Sequence, residues 1–112
     1  MDPSAEQRVA AYVPDLMDRS RLSAVSGIDL RFVNAPGELA SLASGWLPDV
    51  VVMDLGRPGV IDALQAGAIP GRIIGFGSHV DTETLEAARA AGCHEVLPRS
   101  RFFADPGRSL AG

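Results

Sequence analysis

Hydrophobic positions along the chain follow two alternating spacings, one typical of strands and one typical of helices. The run Val50 to Met53 has no polar interruption, which is typical of a strand buried on both faces. Shorter apolar or alternating runs predict four further strands, at Arg8–Val13, Asp29–Val33, Arg72–Phe76 and Val96–Leu97. Because helical patterns separate these strands, the sequence predicts a parallel sheet with helices on both faces.

Four helices are predicted between the strands, from apolar residues spaced three or four positions apart. Their expected places are Met17–Val25, a helix beginning near Pro36 with Leu39, Leu42, Ala43 and Trp46 on one face, a short helix marked by Ile61, Leu64 and Ala68, and Thr82–Ala91. Asp15 or Asp18 is available to cap the first helix, and Asp81 and Gly92 are expected to delimit the last.

The end of the chain favours only a stub of a final helix, around Arg101 to Asp105. Pro106 and Gly107 follow it and disfavour a long helix. We therefore expect one apolar face of the sheet to be short of cover, which makes that face an interface. A homodimer or a docked protein partner is the expected cover.

Composition narrows the class of protein. The 112 residues predict one domain, 1–112, with a core at about 8–103. The segment Met1 to Arg8 lacks an apolar signal core, and no run approaches the ~20 apolar residues of a membrane span, so a cytoplasmic location is expected. The single cysteine, Cys93, excludes an internal disulfide and is expected to pack as a small apolar residue. A net charge of -4 argues against a nucleic-acid partner.

All ten basic residues are arginine. No lysine ammonium is therefore available to any site, and an arginine does not replace one, because its guanidinium is a broad planar fork rather than a compact charge.

Asp54 is the residue best placed for chemistry. It follows the Val50 to Met53 run directly, and so lies at the carboxyl end of a parallel strand, where open α/β folds keep their active crevice. Gly56 and Pro58 then turn the chain outward. Two interpretations stay open: a chemical role for the carboxylate, or a structural role in which it accepts hydrogen bonds from this turn. Arg57, three residues on, could bind phosphate or face solvent, and we expect it to face solvent.

Two segments together resemble the receiver domain of response regulators, the phosphoacceptor module of bacterial two-component signalling and phosphorelays. One is the run Leu47 to Asp54 with Pro58 four residues on, and the other runs from Leu85 to Leu97. The resemblance covers about residues 8–103. It implies a flavodoxin-like (CheY-like) three-layer α/β/α fold with five parallel strands in the order 2-1-3-4-5. The third and last helices would be clipped.

The same resemblance implies a site around Asp54, which matches the phosphoacceptor. Asp15, Asp54 and the backbone carbonyl of Gly56 would supply oxygen ligands for Mg²⁺. That cation would bind weakly, because Pro14 stands where the family has another acid. Asp15 is equally interpretable as a helix cap.

The resemblance also implies positions for groups that contact phosphate. Gly77 stands where the family has a switch hydroxyl, with Ser78 one residue later, and Arg99 stands at the position of a lysine. We expect Asp15, Asp54, Ser78 and Arg99 to converge, because each follows a strand.

These departures predict a stand-alone, divergent receiver-like (pseudo-receiver) regulatory module that acts through protein contacts, with phosphorylation at Asp54 weak or lost. One alternative is a working single-domain response regulator that takes phosphate from a histidine kinase. Another is a small-molecule or nucleotide binder near Gly75–Ser78, although that run is more typical of a simple tight turn. An enzyme is not expected, because no nucleophile with an adjacent base is evident.

Overall fold

Five parallel strands form the centre of the structure, a computed structural model that describes residues 6–111. The strands are β1 (Gln7–Tyr12), β2 (Ile28–Phe32), β3 (Val50–Asp54), β4 (Arg72–Gly77) and β5 (Glu95–Pro98). Their order across the sheet is β2-β1-β3-β4-β5, and every neighbouring pair is parallel. This arrangement confirms the predicted flavodoxin-like fold.

In the described part of the chain, six helices accompany the sheet: α1 (Leu16–Ser23), α2 (Glu38–Trp46), α3 (Val60–Gln65), α4 (Thr82–Ala91), α5 (Arg99–Ala104) and α6 (Pro106–Ala111). The bounds of α4 agree with the prediction, because Asp81 accepts a hydrogen bond from the N–H of Thr84 and Gly92 ends the helix at φ 117°. Helix α3 is clipped, as expected, but Ala68 is not part of it. Ala68 has φ 63° and lies exposed in the connection to β4.

The unbroken apolar run of β3 is explained by helices on both faces of the sheet. All five residues of β3 are buried. Val51 and Met53 point into a core shared with α2, α3 and α4, whereas Val50 and Val52 point into a core shared with α1, α5 and α6. Trp46 and Cys93 are buried in the first of these cores.

The last helical segments differ from the sequence-based expectation. Helix α5 is short, but α6 follows it, because Pro106 occupies the first position of a helix, where a proline fits. Leu110 of α6 is fully buried, and its carbonyl accepts hydrogen bonds from Arg72 Nη2 (2.6 Å) and Gln7 Nε2 (2.9 Å). The expectation of a sheet face short of cover is therefore wrong.

The glycine-rich run at the end of β4 is not a dinucleotide loop: Gly75 to Gly77 belong to the strand, and the predicted turn begins only after Ser78. Gly75 and Gly77 are buried in β4. A Cβ atom on Gly75 would lie 2.7 Å from Leu55 Cδ2, so the glycine makes room for the leucine that follows Asp54. Within residues 6–111, no helix is long and apolar enough to cross a membrane.

Candidate functional site

Asp54 ends β3, and its carboxylate accepts hydrogen bonds from the turn that follows the strand. The side chain is nearly buried, at 11% exposure. The N–H of Gly56 donates to Oδ1 at 3.0 Å, and Nε of Arg57 donates to Oδ2 at 3.3 Å. The first contact is the structural role that the sequence left open for Asp54. The second corrects the expectation for Arg57, whose side chain is 41% exposed but bound to the carboxylate.

Asp15 follows β1 and caps α1. Its Oδ1 accepts the N–H of Asp18 at 3.0 Å. This hydrogen bond is the main cause that lowers the pKa of Asp15, and the N–H of Met17 and the charges of Arg99 and Arg57 lower it further. The carboxylate is therefore engaged in the helix-cap role, one of the two interpretations drawn from the sequence.

Asp18 and Arg99 form a two-point ion pair that the sequence did not reveal. Asp18 is fully buried. Arg99 Nη1 donates to its Oδ2 at 2.7 Å, and Arg99 Nη2 donates to its Oδ1. The rings of Phe76 and Phe103 flank the guanidinium, with centroids 5.8 and 5.1 Å from Cζ. The sequence does hold a signal for the burial of Asp18, although not for its partner. Asp18 precedes the buried Leu22 by four residues and so shares its helix face.

Arg99 also lies within the electrostatic reach of the other two carboxylates. Its pKa is raised, first by the hydrogen bonds with Asp18 and then by the charges of Asp18, Asp54 and Asp15. The structure thus brings Asp15, Asp54 and Arg99 together at the carboxyl edge of the sheet. We refer to this region as the crevice.

The switch position contributes no polar group to the crevice. A Cβ atom on Gly77 would lie 3.2 Å from Leu85 Cδ2 and 3.5 Å from Leu55 Cβ, so two leucines fill the adjoining space. Ser78 is exposed, and its hydroxyl accepts the N–H of Val80 at 3.4 Å in its own loop.

The residues of the crevice are a poor fit for a divalent cation. Both oxygens of Asp54 and Oδ1 of Asp15 already accept hydrogen bonds. Within residues 6–111, no three His, Cys, Asp or Glu side chains cluster in a way that would hold a metal ion. The two carboxylates of the Mg²⁺ site implied by the resemblance are therefore already engaged in hydrogen bonds, which a cation would have to share or displace.

Comparison with known proteins identifies the fold. No family model matches the chain, and no curated protein matches it. Among solved structures, it is similar to a response regulator from Hahella chejuensis, with TM-score 0.80 and 18% identity over 94% of this chain and 92% of that one. The receiver domain of the Francisella response regulator 1452 gives TM-score 0.77 at 18% identity, over 94% and 93% of the two chains.

The signal receiver domain of NarL from Mycobacterium tuberculosis gives TM-score 0.75 at 18% identity, over 95% of this chain and 94% of that one. These likenesses extend over nearly the whole length of both chains. The fold is therefore the flavodoxin-like fold of response-regulator receiver domains.

Proposed function

We propose that this chain is a divergent receiver-like regulatory module that acts through protein–protein contacts, with phosphorylation at Asp54 weak or lost. The observation that carries the proposal is the pair between Arg99 and the buried Asp18. Catalysis of phosphoryl transfer consists mostly of positioning and of neutralising charge on the transferred oxygens. Arg99 stands where the resemblance places the lysine for that task, but both of its terminal nitrogens are bound to Asp18.

The apolar surroundings of Gly77 support the same proposal. In a working receiver a hydroxyl at this position would follow the phosphate and move the adjoining loop. Here the position has no side chain, and Leu55 and Leu85 pack against it. A phosphoryl group on Asp54 would therefore have no polar switch group to draw inward from this position.

Exposed apolar side chains at the carboxyl edge support a protein partner. Leu16 and Met17, in the first turn of α1, are 79% and 70% exposed, and Val80 in the loop after β4 is 75% exposed. Side chains of this kind suit a protein contact better than a polar ligand. The partner would be a histidine kinase, an output protein or a second copy of the chain. The net charge of -4 disfavours nucleic acid.

Phosphoryl labelling tests the proposal directly. The protein is incubated with Mg²⁺ and a small acyl phosphate, and its intact mass is followed over time. We expect little or no phosphoryl adduct, and no change in sedimentation between the parent chain and Asp54→Asn. Asp62→Asn, which removes an exposed carboxylate from α3, is the matched control.

Rapid stoichiometric labelling that is lost in Asp54→Asn but kept in Asp62→Asn would contradict the proposal. It would favour the alternative of a working single-domain response regulator, especially if labelling also changed the association state.

A small-molecule or nucleotide binder remains the other alternative. The sequence-based expectation put such a ligand near Gly75–Ser78, but Gly75 and Gly77 are buried in β4. A groove does lie next to the Asp54 turn, lined partly by Arg57, Asp62, Asp81 and Thr84, and we take it as the candidate place for such a ligand. Calorimetric titration with nucleotides would reveal this function, and Arg57→Ala would weaken the binding.

A further inference from the structure

We propose that Arg57 replaces the divalent cation as the counter-charge of Asp54, so that the charge of this carboxylate is balanced from within the chain. The fold implies a metal site at this edge of the sheet, whereas the carboxylates of Asp15 and Asp54 already accept hydrogen bonds from within the chain. This inference rests on the proposed function, because that function makes the crevice the regulatory site. It deepens that function by naming the group that balances the charge of Asp54.

The position of Arg57 in the turn after β3 is what makes the replacement feasible. Arg57 lies three residues after Asp54, and its Nε reaches Oδ2 at 3.3 Å while the N–H of Gly56 holds Oδ1 at 3.0 Å. A carboxylate charge as buried as that of Asp54 is costly to bury unless a positive group or hydrogen-bond donors lie against it. The turn supplies both within three residues.

A divalent cation would have to compete with this arrangement. It requires carboxylate oxygens as direct ligands, so it would displace the Arg57 hydrogen bond at Oδ2. It would also meet the positive charge of Arg99, whose pKa is raised in part by the charge of Asp54 and which therefore lies within electrostatic reach. The half-exposed Arg57 side chain has room to move away, so the competition lowers the affinity rather than blocking entry completely.

The test is a calorimetric titration of the full chain with Mg²⁺ and, separately, with Mn²⁺. We expect very weak binding by the parent chain and about fivefold tighter binding by Arg57→Ala. This factor corresponds to the small free energy that a partly exposed ion pair contributes. Arg57→Gln should behave like Arg57→Ala, because it removes the charge while keeping a polar side chain, and it serves if the alanine variant folds poorly. Adding Asp54→Asn to Arg57→Ala should abolish the gain.

Arg89→Ala is the matched control. Arg89 pairs with Glu86 at the same spacing of three residues, on the exposed surface of α4 and near the end remote from the carboxyl edge. This substitution changes the net charge equally, so it should leave the affinity unchanged.

Equal affinity in Arg57→Ala and the parent chain would overturn the inference, as would an equal gain in Arg89→Ala. Tight Mg²⁺ binding by the parent chain would overturn it as well. This outcome can be told apart from that of the proposed function. Rapid phosphoryl labelling of the parent chain would contradict the proposed function, but a gain in Mg²⁺ affinity on removing Arg57 would still support this inference.

Discussion

Each of the three carboxylates near the crevice has a partner from within the chain. Asp54 is held by the turn that follows it, Asp15 caps α1, and Asp18 is paired with Arg99. The last pairing depends on arginine, because a guanidinium contacts both oxygens of a carboxylate at once and a lysine ammonium does not present this fork. The absence of lysine thus has a structural consequence. Arg99, which stands at the position of the family's lysine, is bound to Asp18 and not to Asp54.

Arg99→Ala should destabilise the protein by about 2–3 kcal/mol, because it leaves the buried charge of Asp18 without its partner. Arg99→Lys should cost about 1 kcal/mol, since it keeps the charge but loses the two-point contact. Urea unfolding followed by circular dichroism measures both. Arg101→Ala, at an exposed position two residues later, is the control and should stay within about 0.5 kcal/mol of the parent chain. Equal losses in Arg99→Ala and Arg101→Ala would show that the pair contributes nothing to stability.

At the scale of elements, the sequence predicted best where local signals decide the structure. Helix α4 has its cap at Asp81 and its glycine end at Gly92, so both bounds follow from nearby residues. Helix α6 was missed because Pro106 is compatible with ending one helix or beginning another, and the burial of Leu110 against the sheet decides between them.

The same distinction applies to the site. The place of Asp54 follows from the strand before it, so it could be predicted from the sequence. The partner of Arg99 could not, because Asp15, Asp18 and Asp54 all lie near enough to influence it. Choosing among them requires the packing of α1 against α5, which depends on residues 81 positions apart in the chain.

Leu110→Ala should destabilise the protein by about 2–4 kcal/mol, if α6 contributes to the core as its burial indicates. Leu110 is fully buried among residues of the α1, α5 and α6 side of the sheet, so its truncation leaves a cavity. Arg108→Ala changes an exposed residue of the same helix and should cost less than about 0.5 kcal/mol. Thermal and urea unfolding of the two variants give the comparison. A loss no larger than that of Arg108→Ala would mean that α6 is dispensable for the core.

At the scale of the whole molecule, the fold and the site lead to different conclusions. The chain shares its fold with receiver domains at 18% identity, whereas Asp54 and Arg99 of the crevice are each paired with another residue of the chain. Function resides in sites carried by a fold, so the site has to decide. Both faces of the sheet are covered, and a partner would therefore meet helices and loops rather than an open face.

Alkaline pH should destabilise the whole molecule through its single cysteine. Burial raises the pKa of the Cys93 thiol from 9.0 to about 11. Between these values the unfolded chain loses the proton while the folded chain keeps it, so the free energy of unfolding falls as the pH rises. The contribution is fully present below pH 9 and is lost as the pH rises through 11, on the order of 2 kcal/mol in all.

Urea unfolding of the parent chain and of Cys93→Ala, measured from pH 8 to pH 11, isolates this effect. Other groups that titrate in this range are common to both chains, so the difference between the two free energies of unfolding reports the thiol alone. Cys93→Ala will be less stable near neutral pH because it leaves a small cavity, but that cost does not depend on pH. The two curves should therefore converge as the pH approaches 11. Parallel curves would contradict the prediction and would mean that the thiol ionises as readily in the folded protein as in the unfolded chain.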